Sequence, residues 1–116
     1  KGMPVLIANP LRTSSPQSVL EFARPGLLDE AIENLLISVK LDRTDNLSWR
    51  QLAIAYGRLG KTAESSLALG EEALLQGQVK NAIYHAERAE KLLPAGSPGR
   101  IQAQDILQAA RNRKAK

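Results

Sequence analysis

Apolar residues recur along most of the chain at the three- and four-residue spacings of an amphipathic α-helix, and short polar or Gly/Pro-rich stretches interrupt them. Aromatic residues are scarce, while Ala and Leu dominate the apolar content, which favours close helix packing over a β-sandwich. The pattern therefore predicts an all-α fold with six helices. Their approximate ranges are 15–22, 27–41, 46–59, 62–76, 79–93 and 97–113.

Two of the predicted helices have apolar faces that identify candidate core residues. In the second helix these are Leu28, Ala31, Ile32, Leu35, Leu36 and Val39. In the sixth helix they are Ile101, Ile106, Leu107 and Ala110. Asp45 or Asn46 is expected to cap the third helix, and Ser97 the sixth, because short polar side chains satisfy the free backbone N–H groups there.

The predicted turns recur with a period of 34 residues. Gly26 and Gly60 are 34 residues apart, each at an expected helix–helix turn, and Pro94 begins the next such turn. The turn at 42–45 corresponds in the same way to 76–79. The period predicts three helix–turn–helix repeats over about 12–45, 46–79 and 80–113. The domain division that follows is a linker or partly ordered lead-in at 1–16, a repeat domain at 17–113 and a basic tail at 114–116.

The most distinctive stretch is WRQLAIAYGRLG at residues 49–60. Its Trp, Leu, small residue and Tyr have the W-x2-L-small-x2-Y spacing that opens a tetratricopeptide repeat of about 34 residues. On a helix these residues share one face, which predicts a repeat core between helices. The predicted core residues are Trp49, Leu52, Ala53, Tyr56, Ala82, Ala86 and Ala89. The expected architecture is a tetratricopeptide-repeat superhelix of about three hairpins.

A second repeat frame, offset by half a period, competes with the first. Leu69-Gly70, Ala73, Gly77, Ala82, Ala89 and Pro94 also have repeat-like spacing. Both frames contain the same six helices and differ only in which helices line the concave groove. The first frame is preferred because it contains the Trp49 signature.

In stacked helical hairpins the first helix of each pair lines a concave surface. In the preferred frame this predicts a partner groove made of Leu47, Arg50, Ile54, Arg58, Asn81, Tyr84, Arg88 and Lys91. Its Arg and Asn side chains can bind carboxylates and carbonyls of a peptide. Ile54 and Tyr84 can hold apolar side chains of an extended or helical segment. A solvated face, or a face covered by another domain, is an equally weighted alternative.

Composition and charge narrow the chemistry further. There is no Cys and only one His, His85, whereas a catalytic zinc needs about three protein ligands. The stretch at 57–62 resembles the end of a phosphate-binding loop, but Ala55 stands where its first Gly is required. We therefore expect a non-catalytic chain without a cofactor. No apolar run approaches the roughly 20 residues that span a membrane.

The positive charge is concentrated near the C-terminus. Residues 80–116 carry 8 basic and 3 acidic side chains, against 8 and 9 in residues 1–79. Nucleic acid or anionic lipid is one explanation for the basic excess. A solvated terminal helix, whose cations complement its dipole, is the preferred one, so no nucleic-acid partner is expected.

Three stretches resemble a known family. They are SWRQLAIAYGRLG at 48–60, KLLPAGSPG at 91–99 and AQDIL at 103–107. Together they resemble the C-terminal tetratricopeptide-repeat domain of BepA-like periplasmic zinc metalloproteases, which carry an HExxH motif in a separate catalytic domain. The resemblance covers about residues 28–113. Because this chain has no HExxH, the motif and its zinc would lie upstream of Lys1.

The resemblance implies a periplasmic or envelope-associated protein engaged in the quality control of outer-membrane proteins. Its partner would be a protein or peptide: a substrate, an outer-membrane protein assembly component or its own protease domain. A stand-alone adaptor that scaffolds a protein complex is the alternative. Repeat ends left exposed could also mediate homo-oligomer formation.

Overall fold

A computed structural model describes residues 25–115, which form five α-helices and no strand. The helices are α1 (Pro25–Leu41), α2 (Asn46–Arg58), α3 (Thr62–Leu75), α4 (Val79–Leu92) and α5 (Pro98–Ala115). The all-α prediction is confirmed for this part of the chain. The predicted lead-in and first helix lie outside the described residues.

Two side chains cap helices at their N-termini. The Asp45 carboxylate accepts hydrogen bonds from the backbone N–H of Ser48 at 3.1 Å and from its hydroxyl at 2.6 Å, which starts α2. At α5 the hydroxyl of Ser97 accepts from the backbone N–H of Arg100 at 3.2 Å. Of the two caps considered for α2, the structure selects Asp45, and the prediction of Ser97 is confirmed.

Two glycines end α2 and α3 in the same way. Gly60 and Gly77 have φ of 77° and 76°, a left-handed conformation that glycine adopts without steric cost. Beyond them, the N–H of Lys61 bonds to the carbonyl of Tyr56 at 2.9 Å, and that of Gln78 to the carbonyl of Ala73 at 2.8 Å. This is the Schellman arrangement, and it reverses the chain sharply after each helix.

Gly26 does not lie in a turn, so this part of the turn prediction is wrong. It is the second residue of α1, whereas the separate turn predicted at 42–45 is present and contains no glycine. There Asp42 accepts hydrogen bonds from the backbone N–H and the hydroxyl of Thr44. These two bonds also lower the pKa of Asp42, because they stabilise its ionised form.

Consecutive helices pack against each other and are joined by turns of three to five residues. The result is an elongated molecule of 59 × 28 × 23 Å. One pair of alternate helices, α3 and α5, also makes extensive contact, whereas α1 and α3 make at most sparse contact. Helix α3 is therefore the central element, since α2, α4 and α5 all pack on it.

The core consists of two apolar clusters that meet at α3. The first contains Leu28, Ile32, Val39, Trp49, Leu52, Ala53, Ala55 and Ala68. The second contains Leu67, Ala73, Ala82, Ala86, Ala89, Ala103, Ile106, Leu107 and Ala110. Seven of these seventeen residues belong to α4 or α5, and five of the seven are alanine, which lets these helices pack closely on α3.

Ile101 was expected in this core but is half exposed, at 50%. The buried stripe of α5 runs through Ala103, Ile106 and Ala110 at spacings of three and four residues. Ile101 lies two residues before Ala103 and therefore about 200° away from it around the helix. Position relative to the stripe, and not hydrophobicity, decides its exposure.

Gly70 lies where three helices converge. A Cβ built on it would lie 3.4 Å from Cδ1 of Ile106 on α5 and 3.7 Å from the carbonyl of Ala82 on α4. There is thus room for one methyl group at ordinary contact distance and for nothing larger.

We expect Gly70→Ala to be neutral or to stabilise the fold by up to about 1 kcal/mol, because alanine favours the helix and its methyl group fits. Gly70→Leu should cost roughly 1–3 kcal/mol or more through overpacking. Urea denaturation followed by circular dichroism measures both. Equal destabilisation by the two substitutions would contradict the described convergence of helices.

Candidate functional site

A cavity of about 350 Å³ opens between α1 and the start of α5, above α3. Its walls are mainly apolar. The residues that shape it most are Leu36, Trp49, Tyr56, Leu67, Leu93 and Pro98. They come from α1, α2, α3, α5 and the turn before α5, so only the folded chain brings them together.

The cavity exists because the packing on α3 is uneven. At one end, α5 approaches α3 closely: a Cβ on Gly99 would lie 3.0 Å from Cδ1 of Leu93 and 3.4 Å from Cδ1 of Leu67. At the other end, α1 and α3 make little direct contact. Trp49 and Leu52 of α2 line the bottom of the space between α1 and α3.

Leu36 was predicted to face the core and instead forms the rim of this cavity, with 39% of its surface exposed. Its neighbours on the helix, Ile32 and Val39, are buried in the first apolar cluster as expected. Leu36 lies on the border of the buried stripe, where none of the helices within residues 25–115 covers it fully.

The lining that residues 25–115 provide includes one acidic side chain, Glu64 at the start of α3, and this residue is half-buried. Burial raises the pKa of the neighbouring Tyr56, and the negative charge of Glu64 raises it further. The Tyr56 phenol therefore keeps its proton over the physiological range and can donate a hydrogen bond. The ion pairs within residues 25–115 involve Glu71, Glu72 and Glu87, and none involves Glu64.

A second acidic residue on α3, Glu71, is buried and hydrogen-bonded. Its Oε2 accepts hydrogen bonds from Nη2 of Arg43 at 2.9 Å and from Nε2 of Gln102 at 2.8 Å. The guanidinium of Arg43 also lies 5.5 Å from the ring centroid of Trp49, whose Nε1–H donates to the carbonyl of Arg43 at 2.9 Å. This network joins the 42–45 turn to α3 and α5.

Glu64 and Glu71 were not among the site residues predicted from the sequence. A signal was present: they lie seven residues apart, hence on one face of a helix otherwise rich in small and apolar residues. That signal does not specify a partner, because Arg43 and Gln102 are 28 and 31 residues away in sequence.

The structure distributes the predicted core residues over both clusters. Trp49, Leu52 and Ala53 are buried in the first cluster, and Ala82, Ala86 and Ala89 are buried in the second. Tyr56 is half-buried, because one side of its ring faces the cavity described above.

The eight residues of the predicted partner groove lie on α2 and α4. Seven are exposed and Ile54 is half-buried. Arg50 and Ile54 line a shallow depression between α2 and α3 of about 380 Å³, and Nε of Arg50 lies 4.0 Å from a carboxylate oxygen of Glu72. No residue of α4 lines this depression, so it does not join the α2 residues of the predicted groove to Asn81, Tyr84, Arg88 and Lys91.

Within residues 25–115 no group of three or more His, Asp or Glu side chains is arranged to hold a metal ion. The described helices also include none with the length and hydropathy needed to cross a membrane. The chain matches no protein-family model, no curated protein and no solved structure.

The single histidine lies on α4, away from the cavity. Nδ1 of His85 is buried without a hydrogen-bond partner in the described part of the chain, and the ring packs edge-on against Tyr84 at 5.1 Å. Burial lowers the pKa of His85 below its ordinary value of 6.5, and the positive charge of Arg88 lowers it further. The folded protein thus favours the neutral ring.

This pKa shift predicts that stability falls on mild acidification. Above about pH 6.5 the ring is neutral in both folded and unfolded chains; below it the unfolded chain binds the proton more readily, so unfolding becomes easier. The urea midpoint should be lower at pH 5.5 than at pH 7.5. A His85→Asn variant should show a smaller difference, and an identical difference in the variant would exclude His85 as its source.

Proposed function

We propose that residues 25–115 belong to a tetratricopeptide-repeat array that binds a protein segment on the surface formed by α1, α3 and α5. Two observations support the repeat assignment. Helices α2 and α3 end with the same Schellman arrangement 17 residues apart, half of one repeat period. Alternate helices α3 and α5 also pack together, as the first helices of successive hairpins do in a solenoid.

The contact between α3 and α5 favours the second of the two repeat frames. In that frame α1, α3 and α5 are first helices and line the inner surface, whereas α2 and α4 are second helices on the outer surface. The predicted groove, with Arg50, Ile54 and Arg88, then lies on the outer surface. The cavity beside Glu64 lies on the inner one.

The cavity is the main observation that supports peptide binding on the inner surface. It is apolar, partly open, and close to the lower limit of about 300 Å³ for ligand pockets. Such a volume suits one or two side chains of a longer segment that lies along α3, which is how helical grooves bind peptides. Trp49 and Tyr56 supply rigid aromatic surface of the kind that dominates binding energy in interfaces.

We also propose a context for this module: the substrate- or partner-binding domain of a periplasmic zinc metalloprotease that acts in outer-membrane protein quality control. The support is the resemblance of residues 48–60, 91–99 and 103–107 to that family. The zinc would be held by the protease domain, and this chain would supply non-catalytic binding. Its partner would be an outer-membrane protein, an assembly component or the protease domain itself.

The protease context predicts an HExxH motif in the reading frame upstream of Lys1. Sequencing the locus measures this directly. A reading frame that starts near Lys1, without such a motif, would favour the stand-alone adaptor and would leave the peptide-binding proposal intact.

For the binding surface, we expect peptides selected from a random 12-residue display library on the immobilised full chain to occupy the cavity. Leu36→Lys places a charge on its rim and should weaken their binding at least tenfold, or by roughly 1.4 kcal/mol. Leu41→Lys is the matched control, since Leu41 is on the same helix, is 84% exposed and does not line the cavity.

The double variant Arg50→Glu/Arg88→Glu tests the other surface in the same assay. It should bind the selected peptides like the parent protein. Loss of binding in this double variant, with normal binding by Leu36→Lys, would instead assign the site to the groove on α2 and α4.

A further inference from the structure

The geometry points to a specific ligand class for the cavity: a peptide segment in which a large apolar side chain lies within about three residues of an arginine or lysine. The apolar side chain enters between Leu36, Leu67 and Leu93, and the cation pairs with Glu64. This inference rests on the proposed function, because it specifies the ligand of the same cavity.

The charge of the cavity is the first argument. Among the described residues that line the cavity, Glu64 is the only one with a formal charge at neutral pH, and the rest of this lining is mainly apolar. Glu64 as a residue is half-buried, and it has no ion-pair partner within residues 25–115. An acidic side chain that lines a mainly apolar cavity without a counter-ion from these residues favours a cationic ligand group over a neutral or anionic one.

The chain itself contains a completed example of the same arrangement. Glu71, two helical turns after Glu64 on α3, pairs with the guanidinium of Arg43, which also lies over the ring of Trp49. Glu64 likewise has an aromatic neighbour, Tyr56, whose pKa its charge raises. The difference is that the described part of the chain, residues 25–115, supplies a cation to Glu71 and none to Glu64. A bound segment would provide the missing cation.

The spacing between the cation and the apolar side chain in the peptide follows from the geometry of α3. Glu64 and Leu67 are three residues apart, which is about 4.5 Å along the helix axis. The site for the cation and the site for the apolar side chain are therefore neighbours. An extended peptide advances about 3.3 Å per residue, so its two matching side chains must be close in sequence.

A double-mutant cycle between protein and peptide tests the pairing. The probes are the peptides selected on the immobilised full chain and copies in which the nearby Arg or Lys is replaced by Gln. Binding is followed through the fluorescence of Trp49, the only tryptophan in the chain and a lining residue. Glu64→Gln is the protein variant, and Glu33→Gln, an exposed acidic position on α1 outside the cavity, is the matched control.

With the parent protein and with Glu33→Gln, replacing the cation of the peptide should weaken binding roughly tenfold, as for a charge-assisted contact. With Glu64→Gln, the same replacement should change affinity less than about twofold, because the pair is already broken. Glu64→Lys should reverse the selection, so that peptides with Asp or Glu near the apolar residue are enriched.

Additive effects in the cycle would overturn the inference. If the effects are additive but peptide binding is still weakened by Leu36→Lys, the proposed peptide-binding function is retained and only the inference about Glu64 fails. If the chain selects no peptide at all, the proposed function and the inference both fail. A photo-crosslinker at position 36 identifies other occupants. Crosslinks to residues 1–24 of the same chain, or to a second copy, would show that the cavity holds something other than a partner peptide and would also overturn the inference.

Discussion

The structure depends on the close approach of three helices to α3. This approach requires small side chains on α3 itself, and Ala68, Gly70 and Ala73 provide them. At Gly70 the side chain of Ile106 and the backbone of α4 come within contact distance of the helix. A larger residue there would push α4 and α5 away, and the second apolar cluster would lose its packing.

Helix α1 lacks an equivalent contact with α3, and this asymmetry produces the cavity. The hydrogen bond between Arg43 and Glu71 connects the 42–45 turn to α3. Trp49 also holds Arg43 in position, because its Nε1–H donates to the carbonyl of Arg43 and its ring lies beside the guanidinium. These contacts hold α1 and α2 in place without closing the space beside Leu36 and Glu64. The same region is therefore both anchored and accessible, which is the combination that a binding surface requires.

Much of the local structure was predictable because it depends on neighbours in sequence. The bounds of the described helices agree with expectation to within about two residues, and Gly60 has the positive φ expected of it. The errors have local causes too. Gly26 is a typical turn residue but also fits the first turn of a helix, where it lies, and Ile101 is apolar but lies off the buried stripe. The candidate site was harder to predict, since its walls come from four helices.

The spacing of apolar residues, the capping side chains and the turn glycines determine helix type, helix length and the positions of the described turns. They do not determine which alternate helices touch, because both repeat frames contain the same helices. Only the tertiary structure decides that α3 packs on α5, that Glu71 is paired and that Glu64 is left beside an open apolar cavity. The reason is that these features are contacts between residues far apart in sequence, set by how helices fit together and not by the pattern within any one of them.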